Sequence, residues 1–204
     1  REALAGGEVV SIMTSMQGKI AIVTGGRRGI GASCALELAR SGYNVLIVAR
    51  EADEIAESVL AQIRGIGGVA AFHAADVSQL DGHERIMNAA AELPGKLACL
   101  VNNAGVNSLV RGDMLELSSD SYDRVMAVNL RAAFFLSQRF ARRLIDECSI
   151  TPPHEFRAIL NITSANAQIP NIHTADYTMS KAGMSMMTRF LAARLAAHRI
   201  HIYE

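Results

Sequence analysis

The sequence has no tryptophan, four prolines, three cysteines and no excess of either charge, since twenty basic residues balance twenty acidic ones. Each shortage excludes something. Zero net charge leaves no field to favour a nucleic acid or an anionic membrane surface. Cys34, Cys99 and Cys148 are odd in number and lack metal-site spacing. They read as reduced thiols of a cytoplasmic protein, not as a disulfide framework or a metal centre. His73, His154 and His173 stand alone, with no carboxylate or cysteine at ligand spacing. No stretch approaches the ~20 apolar residues that cross a bilayer.

What is present is globular: half of the 204 residues are hydrophobic and a fifth are charged, enough for one domain with a sizeable core. Residues 1–17 begin with Arg1 and show no clear period. The apolar run from Val9 to Met13 is too short, and Glu2 and Glu8 too acidic, for a signal peptide. This segment reads as a leader or expression remnant, with Met13 or Met16 as candidate native starts. From Gly18 onward, short apolar runs alternate with longer helical segments. Strands are expected over 19–24, 44–49, 69–74, 97–101, 158–163 and 200–203. Helices are expected over 30–41, 53–64, 79–93, 121–147 and 175–198. Apolar strands alternating with amphipathic helices specify a parallel sheet covered on both faces. Right-handed crossovers make it a doubly wound, three-layer α/β/α Rossmann fold, with ligands at the carboxyl ends of the strands. The last helix carries two apolar lines, Met184-Met187-Leu191-Leu195 and Met179-Met186-Phe190-Ala193-Ala197. Such a helix is either deeply buried or packed against another subunit.

The first strand runs directly into Thr24-Gly25-Gly26-Arg27-Arg28-Gly29-Ile30-Gly31. Glycine is needed where a backbone turns tightly, meets a phosphate, or crosses a strand closely. The helix that follows aims its free amides and positive end at a pyrophosphate, so a dinucleotide is the expected ligand. The spacing differs from G-x-G-x-x-G by one extra residue. It has the T-G-x-x-x-G-I-G form, and from here the chain resembles the short-chain dehydrogenase/reductase family over residues 19–204. The overall likeness is to 3-oxoacyl-[acyl-carrier-protein] reductase-like members.

In that family the residue after the second strand reports which dinucleotide is held. This chain has Ala49, then Arg50, with Arg28 inside the glycine turn. Two guanidinium groups suit a ribose 2′-phosphate, so NADP(H) is expected ahead of NAD(H). As solvated surface arginines they would say nothing about the cofactor, and a register two residues longer would put Glu51 on the ribose instead. Asp76-Val77 resembles the adenine contact, although Asp76 could equally be the acid that opens the next helix. Asn103, Ala104 and Gly105 are expected along the cofactor, while Asn102 could tie the loops across the sheet. The resemblance thus implies a cofactor set of Gly25, Arg27, Arg28, Gly29, Ile30, Arg50, Asp76, Val77, Asn103, Ala104 and Gly105, joined by Tyr177 and Lys181.

Tyr177 and Lys181 stand one turn apart at a helix start. Alone, Y-x-x-x-K is frequent by chance. Ser164 at the end of the fifth strand and Asn129 on the long helix complete the tetrad that the family uses. A free tyrosine has a pKa of ~10, and a neighbouring ammonium favours its phenolate. Lys181 would also hold the nicotinamide ribose. Ser164 would bond the carbonyl oxygen of the substrate. By resemblance, Asn129 would hold a water linking Lys181 to solvent. The chain ends at Glu204, within the sixth apolar run. Family members continue with a Pro-Gly turn, a substrate-covering segment and an edge strand, so the fold is expected to be C-terminally incomplete. The expected enzyme is a homodimeric or homotetrameric reductase of 3-oxoacyl thioesters. A sugar, polyol or secondary-alcohol dehydrogenase is the alternative, and a dinucleotide sensor without catalysis the more distant one.

Overall fold

The computed structural model describes residues 18–148 and 156–204. The expected leader, the Pro152-Pro153 loop, His154 and the side chain of Cys148 lie outside the described residues. Six strands form among the described residues: β1 (Lys19–Thr24), β2 (Tyr43–Ala49), β3 (Ala70–Ala74), β4 (Lys96–Asn102), β5 (Arg157–Asn161) and β6 (Ile200–Tyr203). They pair in parallel in the order β3-β2-β1-β4-β5-β6. Successive side chains of a strand leave on opposite faces, so each central strand feeds two cores. Ile20, Ile22, Leu46, Val48 and Leu100 enter one, while Ala21, Val23, Val45, Ile47 and Val101 enter the other. That double burial is why the strands read as unbroken apolar runs.

Helices α1 (Gly29–Arg40) and α2 (Glu54–Gly65) cover one face through Ala35, Ala39, Val59, Leu60 and Ile63. The other face is covered by α3 (His83–Ala91), α5 (Ala133–Cys148) and α6 (Ala175–Leu195), through Ile86, Met87, Leu136, Phe140, Leu144, Met184 and Leu191. The fold is the expected α/β Rossmann type. Its strand order turns back at β1 and β4, and that reversal opens a crevice at their carboxyl ends.

Two expected helices carry irregularities. The long helix expected over 121–147 is present and helical throughout, but it is built of α4 (Ser119–Met126), a π-helical turn (Ala127–Ala132) and α5. Asn129 lies in that π turn, and its amide is bound to Val106 and Ser180. Bonds to partners so distant in sequence leave no trace in a local period, and π turns of this kind recur at functional sites. The helix expected over 79–93 is shortened to α3, preceded by a single 3-10 turn (Leu80–Gly82). There the buried ring of His83 turns back onto the carbonyl of Val77, with Nε2 at 2.7 Å.

Candidate active site

The glycine turn has a crowded side and an open side. Gly25 (φ +64°) and Gly29 (φ +57°) are left-handed, a conformation L side chains rarely adopt. A Cβ on Gly25 would come within 2.8 Å of Asn103 Nδ2, and one on Gly31 within 2.4 Å of the Gly25 oxygen. Nothing lies within 4 Å of a Cβ placed on Gly29. The turn therefore packs tightly on the sheet and opens outward at the start of α1. Arg28 at the N-cap makes no side-chain cap bond, so the first amides of α1 stay available at the positive end of the helix.

That open side borders a cleft of about 910 Å³ at the carboxyl ends of the strands. Gly25, Arg27, Arg28, Gly29, Ile30, Arg50, Asp76, Val77, Asn103, Ala104 and Gly105 all line it. The expected cofactor set outside the tyrosine–lysine pair is thus brought to one place. Its members differ in what they are free to do. Arg28 and Arg50 are exposed and form no ion pair among the described residues. Arg27 is engaged: Nη1 lies 2.9 Å from Glu51 and Nη2 lies 2.8 Å from Asp53. Asp76 Oδ1 accepts from the amide and hydroxyl of Ser78 at 2.9 and 2.8 Å while lining the cleft.

The two asparagines after β4 divide the labour. Asn102 is buried and donates to Ser137 Oγ and to Asn161 Oδ1, each at 2.8 Å. Asn161 passes the chain to Thr188 at 2.9 Å, which ties β4 and β5 to α5 and α6. Asn103 donates to the carbonyls of Thr24 and Gly25 at 2.9 and 3.0 Å, pinning the glycine turn. The Thr24 hydroxyl, which sequence reasoning passed over, bonds the carbonyl of Val101 and the amides of Asn103 and Ala104. It clamps the tips of β1 and β4 together.

The other expected residues do not line that cleft; they sit on neighbouring elements, with Asn129 and Lys181 beside its lining residue Gly105. Ser164 follows β5 as the N-cap of a 3-10 turn (Ala165–Ala167), accepting from the amide of Asn166 at 3.2 Å. That turn packs against α6, whose first turns carry Tyr177 and Lys181. The Lys181 Nζ lies 5.8 Å from the centroid of the Tyr177 ring. It donates to the carbonyl of Ile162 at 2.6 Å and is 4 % exposed. Burial pushes this ammonium down to about 8. A Cβ on Gly105 would stand 3.4 Å from Asn129 Oδ1 and 3.8 Å from Lys181 Nζ, so the glycine joins the two sides of the site. Asn129 is fully buried, giving its amide hydrogens to Val106 O and Ser180 Oγ at 2.9 and 3.0 Å and accepting from Val106 N at 2.8 Å. Both hydrogens are committed to protein partners. The side chain holds the loop after β4 against α6.

Sequence reasoning missed Asp176. Its carboxylate is buried at the start of α6 and accepts from Ser108 Oγ, from Ser121 Oγ at 2.6 Å and from the amide of Tyr177 at 2.8 Å. Burial alone would raise this carboxyl, but the bonds from Ser108, Ser121 and the Tyr177 amide outweigh it and hold it below the usual range. Thr174, at the N-cap position, makes no cap bond, so Asp176 satisfies the helix start instead. The one signal available was a carboxylate beside Tyr177. Ser108 and Ser121 come from other segments, with nothing in their spacing to announce them.

The arrangement can hold a dinucleotide along the glycine turn, with an ammonium near Gly105 and a phenol beside that ammonium. A family model described as short chain dehydrogenase matches residues 19–204. A 2-dehydro-3-deoxy-D-gluconate 5-dehydrogenase from Dickeya dadantii is 34% identical over 189 residues, covering 92% of this chain and 70% of that protein. Among solved structures, a 3-oxoacyl-[acyl-carrier protein] reductase from Brucella melitensis in complex with NAD superposes with a TM-score of 0.82 at 38% identity, covering 90% of this chain and 70% of that one. A metagenomic short-chain oxidoreductase in complex with NADP gives 0.82 at 32% identity, covering 92% and 80%. Relatives with different substrates and either dinucleotide thus share this fold. The chain belongs to the short-chain dehydrogenase/reductase family and is an NAD(P)-dependent oxidoreductase.

Proposed function

We propose that this enzyme is an NADP(H)-preferring reductase of carbonyl groups, with 3-oxoacyl thioesters as its substrate class. The observation that carries the cofactor reading is the pair of unengaged guanidiniums, Arg28 and Arg50, on the cleft that Gly25, Gly29, Ile30, Asp76, Val77, Asn103, Ala104 and Gly105 complete. The glycine cradle fits a pyrophosphate, because a Cβ at Gly25 or Gly31 would force the turn apart and the α1 amides stay available. When bound, the nicotinamide supplies or accepts the hydride. Arg28 and Arg50 grip the ribose 2′-phosphate.

The chain's own residues handle the proton. The Tyr177 hydroxyl donates to the carbonyl oxygen as negative charge develops there. Ser164 donates a hydrogen bond to the same oxygen and spreads that charge. Lys181 keeps a cation beside Tyr177 and holds ribose hydroxyls. Asn129 fixes the Val106 loop and Ser180 around them, a support role in place of a direct one. Support for an acyl substrate comes from the segments flanking the site, where Leu109, Val110, Met114, Leu115, Ile169 and Ile172 are all exposed. An apolar rim of this kind suits a hydrocarbon chain better than a polyol. The sugar reading rests on likeness to the gluconate-type dehydrogenase.

The enzyme acts as a homo-oligomer in this proposal. One apolar line of α6, Met184-Met187-Leu191-Leu195, is buried, whereas Met179, Met186 and Phe190 of the other are exposed. Phe190 joins Leu130, Phe134 and Phe135 around an apolar groove of about 620 Å³. Among the described residues no helix is long and apolar enough to cross a membrane, and a cytoplasmic setting is part of the reading. NADPH oxidation with a panel of 3-oxoacyl thioesters, ketoses and simple ketones tests it. Thioesters should turn over fastest, and Tyr177→Phe should cut turnover by ~1000-fold while leaving NADPH affinity within about threefold. A Tyr177→Phe enzyme of undiminished turnover ends the mechanism, and faster ketose turnover ends the substrate assignment.

A further inference from the structure

Arg27 was expected beside the cofactor, yet its guanidinium fork is spoken for. Nη1 reaches Glu51 at 2.9 Å and Nη2 reaches Asp53 at 2.8 Å, with the arginine side chain 22% exposed. Asp53 cannot easily swing away. Its other oxygen, Oδ1, caps α2 by accepting from the amide of Ala56 at 3.1 Å. The helix cap therefore anchors Asp53, Asp53 anchors the guanidinium, and the guanidinium holds Glu51. Glu51 is the carboxylate that directly follows Arg50, where a free acid would accept ribose hydroxyls and repel a phosphate. Arg27 of the glycine turn and the two carboxylates of the β2–α2 corner thus carry one net negative charge between them. Without Arg27, which lines the cleft beside Arg28 and Arg50, the two carboxylates behind it would carry two uncovered charges.

We infer that Arg27 is a specificity-determining positioning residue: it neutralises and sequesters Glu51, so that the adenosine end of the cleft accepts a 2′-phosphate through Arg28 and Arg50. Arg27 itself leaves the phosphate untouched. The inference rests on the proposed NADP(H) reading of the cleft, and it makes a prediction that direct ligation does not. A direct ligand is lost for good when it is removed. A neutraliser becomes dispensable once the charge it neutralises is gone.

Direct titration of NADPH and NADH by ligand fluorescence, with no substrate present, tests this on the whole chain. Arg27→Gln should weaken NADPH by about tenfold, the Coulomb effect of one uncovered carboxylate on a phosphate at cleft distances in water-like dielectric. NADH should be unchanged or tighter, since Glu51 is then free to accept ribose hydroxyls. Adding Glu51→Gln to Arg27→Gln should restore NADPH affinity to within about threefold of the parent. Glu51→Gln alone should leave NADPH binding unchanged or slightly tighter. A double variant that binds NADPH as weakly as Arg27→Gln alone overturns the inference and makes Arg27 a direct phosphate ligand. Equal weakening of both dinucleotides in Arg27→Gln also overturns it, because the effect would then not involve the 2′-phosphate. The parent enzyme's NADPH-to-NADH ratio judges the cofactor reading separately: a ratio near one refutes the preference, while the double-variant rescue still decides what Arg27 does.

Discussion

The two ends of the candidate site are built from different materials. At the end beside the glycine turn, the groups that the proposal assigns to ligand choice are ions at or near the surface: exposed Arg28 and Arg50, and the partly buried Arg27 with its partners Glu51 and Asp53. At the reacting end, the groups are buried and fixed by hydrogen bonds from several elements, as in Asn102–Asn161–Thr188, Asn129–Ser180 and Asp176–Ser121. Exposed ions act through a screened field and are cheap to exchange. Buried polar groups have to be satisfied completely, and in return they hold a reacting geometry before the substrate arrives. On the proposed reading, the difference teaches that dinucleotide choice should be adjustable by single charges, whereas the proton chemistry rests on groups held by several elements at once.

Lys181→Met strikes the reacting end hardest. Turnover should fall by ~1000-fold with loss of the ammonium beside Tyr177. Yet the variant should be more stable than the parent at pH 7. A buried lysine whose folded pKa is about 8, against an ordinary 10.5, penalises the fold wherever it is charged in both states. The penalty is complete below about 8 and fades as pH rises toward 10.5, so the stability gain of the variant should fade over that window. Urea denaturation across pH 7 to roughly 10.5 would read it, with a gain of up to about 3 kcal/mol. A variant less stable at every pH would show that burying this ammonium carries no net cost to the fold.

Asp176→Ala comes next. It strands the hydroxyls of Ser108 and Ser121 and the amide of Tyr177, at a cost of about 2 kcal/mol and a lower melting temperature. Because the carboxyl is held below its ordinary 3.8, its stabilisation is present above that value and is lost as pH falls through the lower folded value. The parent and variant unfolding curves should therefore converge in acid.

At the adenosine end the effects are smaller and leave the fold alone. Arg50→Asp should raise the NADPH Michaelis constant far more than that of NADH, by about thirtyfold against less than threefold, with no shift in melting temperature. Equal effects on both would count against the phosphate grip. The smallest change comes from salt: raising ionic strength from roughly 0.05 to 0.5 M should weaken NADPH by several-fold and NADH less, while the melting temperature barely moves.

Much of this was legible along the chain. Each strand was placed within a residue or two, because burial on both faces leaves an unbroken apolar run. Gly25 and Gly29 announced their turn, since few other residues tolerate the left-handed backbone found there. Tyr177 and Lys181 were visible as a spacing, and Ser164 as a strand end. The π turn at Asn129, the Thr24 clamp and Asp176 were not visible. Each depends on partners tens of residues away, and no local period records a bond between segments.

By itself, then, the sequence determined the layered parallel sheet, the glycine cradle and the identities of the groups gathered in the cleft, because periodicity and glycine stereochemistry are local properties. Only the tertiary structure decided which of those groups are free. Arg27 and Arg28 are neighbours of the same type in one turn, and nothing in their order distinguishes them. The fold sets carboxylates from the β2–α2 corner against the first and none against the second, among the described residues. Charge pairing is settled by which segments meet, and that is a property of the packed molecule.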